Sequence, residues 1–213
     1  MDQANRVLEP KLKAEEIIGV YAGLRPLVAN NKSATTTKLS REHTVDRPAA
    51  GFVSIAGGKY TTYRVMGKDV VDRAVIELRK LTQNSVTEKL PLVGADGYFA
   101  LEQQKERIAQ ESGLDVETVT HLLNRHGSLI SEILELIQEQ PKLAAKLDAD
   151  LPYIKAEIVY AASHEGARSV DDVISRRTRL SFEAVNHGIH LADEVAALIA
   201  PVLGWSAKER KAS

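Results

Sequence analysis

Apolar positions recur with two different periods along this chain, and the change between them divides it. In residues 3–16 the side formed by Val7, Leu8, Leu12 and Ile17 predicts a helix. The run Ile17-Ile-Gly-Val-Tyr-Ala-Gly-Leu24 predicts a strand stopped by Arg25-Pro26. Asn30 to Thr37 is polar and reads as a loop. Two further strands are predicted at 38–45 and 51–56, paired as a hairpin around Asp46-Arg47-Pro48, and a helix runs from Thr61 to about Lys80.

Residues 82–97, TQNSVTEKLPLVGADG, are rich in turn formers, and the domain boundary is placed here, between 1–89 and 90–213. Beyond it the pattern is helical throughout. Helix-period runs occur near 98–111, 116–125, 129–139, 152–163, 170–178 and 182–203. Asp115 and Ser128 suit N-caps, Gly113 and Gly127 suit C-terminal stops, and Ser169-Val-Asp-Asp172 is an acidic variant of the capping box. The expected fold class is a small α+β part, a few strands with two helices, followed by an all-α helical bundle. The first part has no covering layer for a sheet. A helix opening at Trp205 also has few residues left to run. Both features suggest a piece of a larger protein.

The segment between strand 51–56 and the helix after it carries the best candidate chemistry. It reads Gly57-Gly-Lys-Tyr-Thr-Thr62. Glycines between a strand and a helix let backbone N–H groups approach a ligand, and the helix N-terminus beyond them favours negative charge. A phosphate, a carboxylate or an electron-rich cofactor edge would suit such a seat. The segment is not a P-loop, since Tyr60 follows Lys59 and the glycine spacing is wrong. A plain tight turn explains the same spacing.

Composition narrows the classes. There are no cysteines, so disulfides, thiol catalysis and Cys-based zinc sites are excluded. No apolar run reaches the roughly 20 residues of a membrane span. Only 5% of residues are aromatic, too few for a base-stacking platform. Residues 1–89 hold 15 Lys and Arg against 10 Asp and Glu, whereas 90–213 hold 13 against 19. The acidic second part argues against nucleic acid as a partner.

Other groupings are less distinctive. Arg25, at the end of an apolar strand, suits a bidentate oxyanion or a structural carboxylate. Arg41 and His43 fall on one face of their strand and Glu42 on the other, which also describes a solvated edge. Arg176-Arg-Thr-Arg179 could meet phosphate, or simply pair with Glu157, Glu165 and the nearby aspartates. His164-Glu165 begins like a zincin motif, but Arg168 stands where its second histidine would be. His187, His190 and Glu194 share a helix face in this reading, but structural zinc sets need more members, and no metal is assigned.

Four blocks in order, YAGLRPLV (21–28), SREHTV (40–45), IAGGKYTTYRVMGKDVVD (55–72) and AEIVYAASHEGARSVDDVISRRTRL (156–180), resemble the FAD-dependent glycerol-3-phosphate dehydrogenases and related oxidases. LLNRHGS (122–128) is similar too, with His126 where tyrosine is usual. The resemblance implies that Arg25 and Arg41 hold the substrate's phosphate. It implies that Gly57, Gly58, Lys59, Thr61 and Thr62 approach the flavin, with Lys59 as the catalytic member. The implied reaction oxidises glycerol 3-phosphate to dihydroxyacetone phosphate, with electrons passing to quinone, or to oxygen in the oxidase branch. The family's GxGxxG dinucleotide fold and catalytic base are not among these residues. A C-terminal fragment is therefore expected, without tight FAD binding or turnover of its own. A cytoplasmic location follows from the resemblance, with attachment to the inner face of the cell membrane in view. The helical part is expected to cap the catalytic part or to build a homo-oligomer. The alternative from the residues alone is a helical binding module, with 115–139 acting as a helix-turn-helix on DNA or a protein.

Overall fold

The computed structural model describes residues 1–24, 42–79 and 81–212. The chain forms two compact units. One comprises Ala22–Pro91, and the other joins Met1–Tyr21 with Leu92–Ser213.

In the first unit, β1 (Thr44–Ala49) and β2 (Phe52–Ala56) pair antiparallel, with Thr44 opposite Ala56, Val45 opposite Ile55 and Asp46 opposite Ser54. The register breaks between Asp46 and Ala49. Pro48 lies there and has no N–H for the ladder. The reversal expected at Asp46–Pro48 falls instead at Ala50-Gly51, where Gly51 supplies a φ of 76°. After β2, Gly57 and Gly58 both take positive φ, 78° and 83°. A 3₁₀ turn at Tyr60–Thr62 then leads into α1 (Tyr63–Glu77). The Thr62 hydroxyl donates to the Lys59 carbonyl at 3.0 Å and accepts the Lys59 N–H at 3.3 Å, so the turn closes on itself. Helix α1 packs on both strands. An ion pair, Arg47 Nε to Glu77 Oε2, and a hydrogen bond, His43 Nε2 to Asp69 Oδ2, each 2.8 Å, tie it there. None of the described residues from 42 to 91 is fully buried, and Phe52 is 56% exposed. Turn geometry and half-exposed pairs therefore shape the described residues of this unit, which show no closed apolar core among themselves.

The N-terminal residues depart from expectation. In place of a helix over 3–16 there are two short 3₁₀ turns, Ala4–Arg6 and Ala14–Glu16. Pro10 between them lacks an N–H and disfavours helical geometry at Glu9. Residues 17–24 form no ladder and are not a strand.

The second unit is built from α2 (Tyr98–Glu102), α3 (Lys105–Ser112), α4 (Val116–His126), α5 (Ile130–Glu139), α6 (Lys155–Ser163), α7 (Leu180–Glu183), α8 (Ala192–Leu203) and α9 (Ala207–Ala212). Asp115 caps α4 as predicted, accepting the Thr118 N–H at 2.7 Å, and Gly113 ends α3 in the left-handed region. Ser128 is not an N-cap, because it lies inside the 3₁₀ turn Gly127–Leu129 that leads into α5. Residues 172–177 form a π-helical turn where an α-helix was expected. The single helix predicted over 182–203 is broken by Asn186, His187 and Gly188, all three left-handed. One glycine contact fixes the α4–α5 corner. The Ser128 N–H reaches the Gly94 carbonyl at 2.8 Å, and a Cβ on Gly127 would lie 1.9 Å from that same oxygen.

Helix α6 is the centre of the core. Ala156, Val159 and Tyr160 face Leu122, Leu123, Ile133 and Ile137, whereas Ile158 and Ala161 face Val173, Leu180, Val195 and Ile199. A helix apolar on all sides must be enclosed. Glu157 is enclosed with it, 1% exposed. Its Oε1 lies 3.0 Å from His121 Nε2, 3.2 Å from Arg125 Nε and 3.3 Å from His126 Nε2, and its Oε2 accepts the Ile154 N–H at 3.0 Å. The Arg125 contact is an ion pair without an aligned hydrogen bond. Burial pushes the Glu157 carboxyl up, but the hydrogen bonds from His121 and His126, the charge of His121 and the Ile154 N–H together hold it at about 2.

Two predictions follow from this core. Replacing Glu157 by Gln leaves Arg125 without its counter-charge and should cost about 3 kcal/mol in urea unfolding. The carboxyl sits at about 2 against an ordinary 4.5, so the unfolded chain takes up the proton first. Its stabilisation is therefore fully present above that ordinary value and lost as pH falls toward the folded one. Unfolding free energies across this window should drop in the parent, and this part of the drop should vanish in Glu157→Gln. Gly127→Ala should also cost about 3 kcal/mol, from left-handed strain and overlap with the Gly94 carbonyl. An unchanged denaturation midpoint would refute that close approach.

Candidate functional site

Strand β2 delivers the chain to Gly57 and Gly58, and their positive φ turns it toward α1. At Gly58 the backbone conformation favours glycine, and the surroundings are close. The φ is 83°, and a Cβ would lie 2.5 Å from Met66 Sδ and 3.2 Å from His43 Cβ. Lys59 follows in extended geometry with an exposed side chain, at the start of the 3₁₀ turn that opens α1.

These residues border an open recess of about 350 Å³ lined by Glu42, His43, Gly58, Lys59, Thr62 and Val65. Its electrostatics are mixed. Lys59 brings a full positive charge and the start of α1 a partial one, while Glu42 brings a carboxylate. The recess can take an anionic or electron-rich group at the Lys59 end. Of the residues predicted for this site, Gly58, Lys59 and Thr62 line the recess, Gly57 forms the turn behind it, and Thr61 is exposed in the 3₁₀ turn without lining it. Arg25 and Arg41 lie outside the described residues.

His43 is the residue that pattern reading placed wrongly. β1 begins at Thr44, so strand alternation does not separate Glu42 from His43, and both border the recess. The His43 ring reaches Asp69 on α1, and the same two residues border a second recess of about 770 Å³ with Val45, Asp46, Arg47, Asp72, Arg73 and Ile76. No local pattern could have announced this pairing, because it spans 26 residues and depends on how α1 lies on the hairpin.

The other candidates are spent on structure. His187 Nδ1 donates to the Ser181 carbonyl at 2.9 Å, His190 pairs with Asp148 at 3.0 Å, and Glu194 pairs with Lys155 at 2.6 Å. The shared helix face expected for them is absent because the chain is left-handed at Asn186–Gly188. Arg176 pairs with Asp171 and Asp172, Arg177 Nε donates to the Glu165 carbonyl at 2.7 Å, and Arg179 pairs with Glu183 at 3.2 Å. Glu157, suggested as a partner for these arginines, is claimed instead by α4. His164 stacks on Tyr160 at 4.5 Å, with Ser163 Oγ 2.7 Å from its Nδ1. The apolar faces of α4 and α5 are buried in the core of the helical unit.

Comparison with known proteins agrees with the resemblance drawn from the sequence blocks. The family described as the C-terminal domain of alpha-glycerophosphate oxidase matches residues 85–210. Glycerol-3-phosphate dehydrogenase 2 of Mycobacterium tuberculosis (strain ATCC 25618 / H37Rv) is 50% identical over 205 residues, covering 96% of this chain and 35% of the relative. The glycerol-3-phosphate dehydrogenase of Mycobacterium leprae is 48% identical over 209 residues, 98% of this chain and 36% of the relative. The mitochondrial glycerol-3-phosphate dehydrogenase of Mus musculus is 34% identical over 200 residues, 92% and 27%. The chain thus spans about a third of the length of the mycobacterial relatives. Over its helical part, this chain belongs to the family of the alpha-glycerophosphate oxidase C-terminal domain.

Proposed function

We propose that this chain is part of an FAD-dependent glycerol-3-phosphate dehydrogenase, supplying one wall of its active site and its helical domain. Residues 1–89 then belong to the FAD and substrate portion, and 90–213 form the helical domain. The observation that carries this reading is the Gly57–Thr62 turn, which brings an exposed Lys59 to the edge of a recess backed by a helix N-terminus. The residues fit a flavin edge. The glycine pair lets the backbone approach a flat ring, and Lys59 offers positive charge to an electron-rich group.

When bound, FAD would accept the hydride removed from C2 of glycerol 3-phosphate. This chain's residues would orient and stabilise. Arg25 and Arg41 clamp the phosphate ester through their planar forks. Lys59 places its charge where negative charge grows during oxidation, and the start of α1 adds to it. The product is dihydroxyacetone phosphate, and the electrons go on to quinone, or to oxygen if the enzyme is of the oxidase kind. No helix among the described residues is long and apolar enough to cross a membrane. The proposal places any contact with a quinone-bearing membrane at its surface. The helical domain acts as a cap or an assembly surface.

The unit that holds the glycine turn buries none of its described residues, which supports the proposal that the chain alone makes no tight flavin site. The purified chain should carry no stoichiometric flavin absorbance and should not oxidise glycerol 3-phosphate. In a full-length, flavin-loaded enzyme carrying this sequence, Lys59→Ala should lower kcat by about 100-fold. Arg25→Ala and Arg41→Ala should raise KM for glycerol 3-phosphate by roughly 10-fold or more, the loss of a charge-assisted hydrogen bond. Wild-type kcat in Lys59→Ala, or wild-type KM in both arginine variants, would sink the assignment.

A further inference from the structure

His43 has no role in the reading above, yet it occupies the junction of the site. Its ring is 19% exposed and faces Asp69 on α1, with Nε2 2.8 Å from Oδ2. A carboxylate facing Nε2 draws the ring proton to that nitrogen, so the ring donates to Asp69 and its orientation is set. The Cβ of His43 lies where a side chain on Gly58 would have to go, 3.2 Å from that position, and Met66 closes the other side. Gly58 is therefore gripped between the residue before β1 and the second turn of α1, immediately ahead of Lys59. The ring also borders both recesses of this unit.

We infer that His43, anchored by Asp69, is a positioning residue for Lys59, locking the Gly57–Gly58 turn between β1 and α1. The inference rests on the assignment of Lys59 to the flavin site. The anchor is not primarily a source of stability. Asp69 is 38% exposed, and partly solvated pairs of this kind contribute little to folding. None of the unit's described residues is fully buried, so among them no packed core holds the turn in place. Its loss should therefore be felt in where Lys59 stands and much less in unfolding. Lys68 also lies near Asp69, with Nζ 3.9 Å from Oδ1, but it bonds Asp72 at 2.8 Å and does not replace His43.

The test uses the full-length, flavin-loaded enzyme that carries this sequence, with two readouts: kcat against KM, and the flavin reduction potential by redox titration. Asp69→Ala removes the anchor without disturbing the packing at Gly58, so it is the primary variant. His43→Ala should match it. Each should lower kcat about 10-fold with little change in KM, and should move the flavin potential in the same direction as Lys59→Ala but less far. His43→Gln puts an amide N–H near the place of Nε2 and should recover most of both losses. Combining Asp69→Ala with Lys59→Ala should do no more than Lys59→Ala alone, as expected for residues that act through one group. If Lys59→Ala shifts potential and kcat while Asp69→Ala leaves both unchanged, the inference is overturned and the site assignment stands. The same holds if the double variant is additive or His43→Gln fails to recover. If Lys59→Ala itself changes neither readout, the site assignment falls and this inference with it.

Discussion

A single carboxylate inside the helical unit sets the arrangement of what surrounds it. Glu157 lies on α6, which gives buried residues to both apolar clusters, and it is the fully buried acid among the described residues. Burying such a charge is costly, and His121, Arg125 and His126 from α4, with the Ile154 N–H from its own helix start, offset the cost together. A well-packed apolar residue could serve stability as well. What an apolar residue lacks is direction. Two histidine hydrogen bonds and one arginine ion pair, all within six residues of α4, converge on one carboxylate, so sliding or rotating α4 over α6 would strand a buried charge. Tyr153 extends the same logic toward α7. Its hydroxyl donates to Glu183 and accepts the Arg179 N–H, and burial with the Glu183 contact pushes its pKa up to about 12.

The unit bearing the glycine turn is held in another way. None of its described residues is buried, and α1 is tied to the hairpin by His43–Asp69 and Arg47–Glu77. Half-exposed pairs are weak supports for stability but adequate supports for geometry, provided the backbone has few alternatives. At Gly57 and Gly58 it has few, because successive positive φ values and a crowded Gly58 leave little latitude. The contrast suits the proposed division of labour. A helical unit with its own apolar core suits a separate domain, and the described residues of the other unit, none of them buried, suit the proposed active-site wall.

Much was legible where a local rule sufficed. The strand ending at Ala56, the helix after Thr62, the cap at Asp115, the stop at Gly113 and the periodic runs of α4 and α5 all rest on interactions spanning a few residues. Errors arose where a local rule met a competing one. Apolar spacing over 3–16 was overridden by Pro10, and the hairpin turned at Gly51 because positive φ outweighed the proline signal three residues earlier. Across 182–203 the periodicity was sound on both sides of Asn186–Gly188, and nothing in the spacing revealed a left-handed break.

From the sequence alone came the blocks that carry the family, the division into a mildly basic first part and an acidic helical part, and the glycine pair that lets Lys59 stand beside a helix start. These are properties of neighbouring residues, and neighbouring residues are what local geometry and charge depend on. Only the tertiary structure decided that Glu157 belongs to α4 rather than to the arginines at 176–179, and that His43 belongs to Asp69 rather than to a solvated strand face. Both pairings cross tens of residues. Which partner a charge finds at that range is settled by how helices lie on one another and on the hairpin, and no periodicity in the chain encodes it.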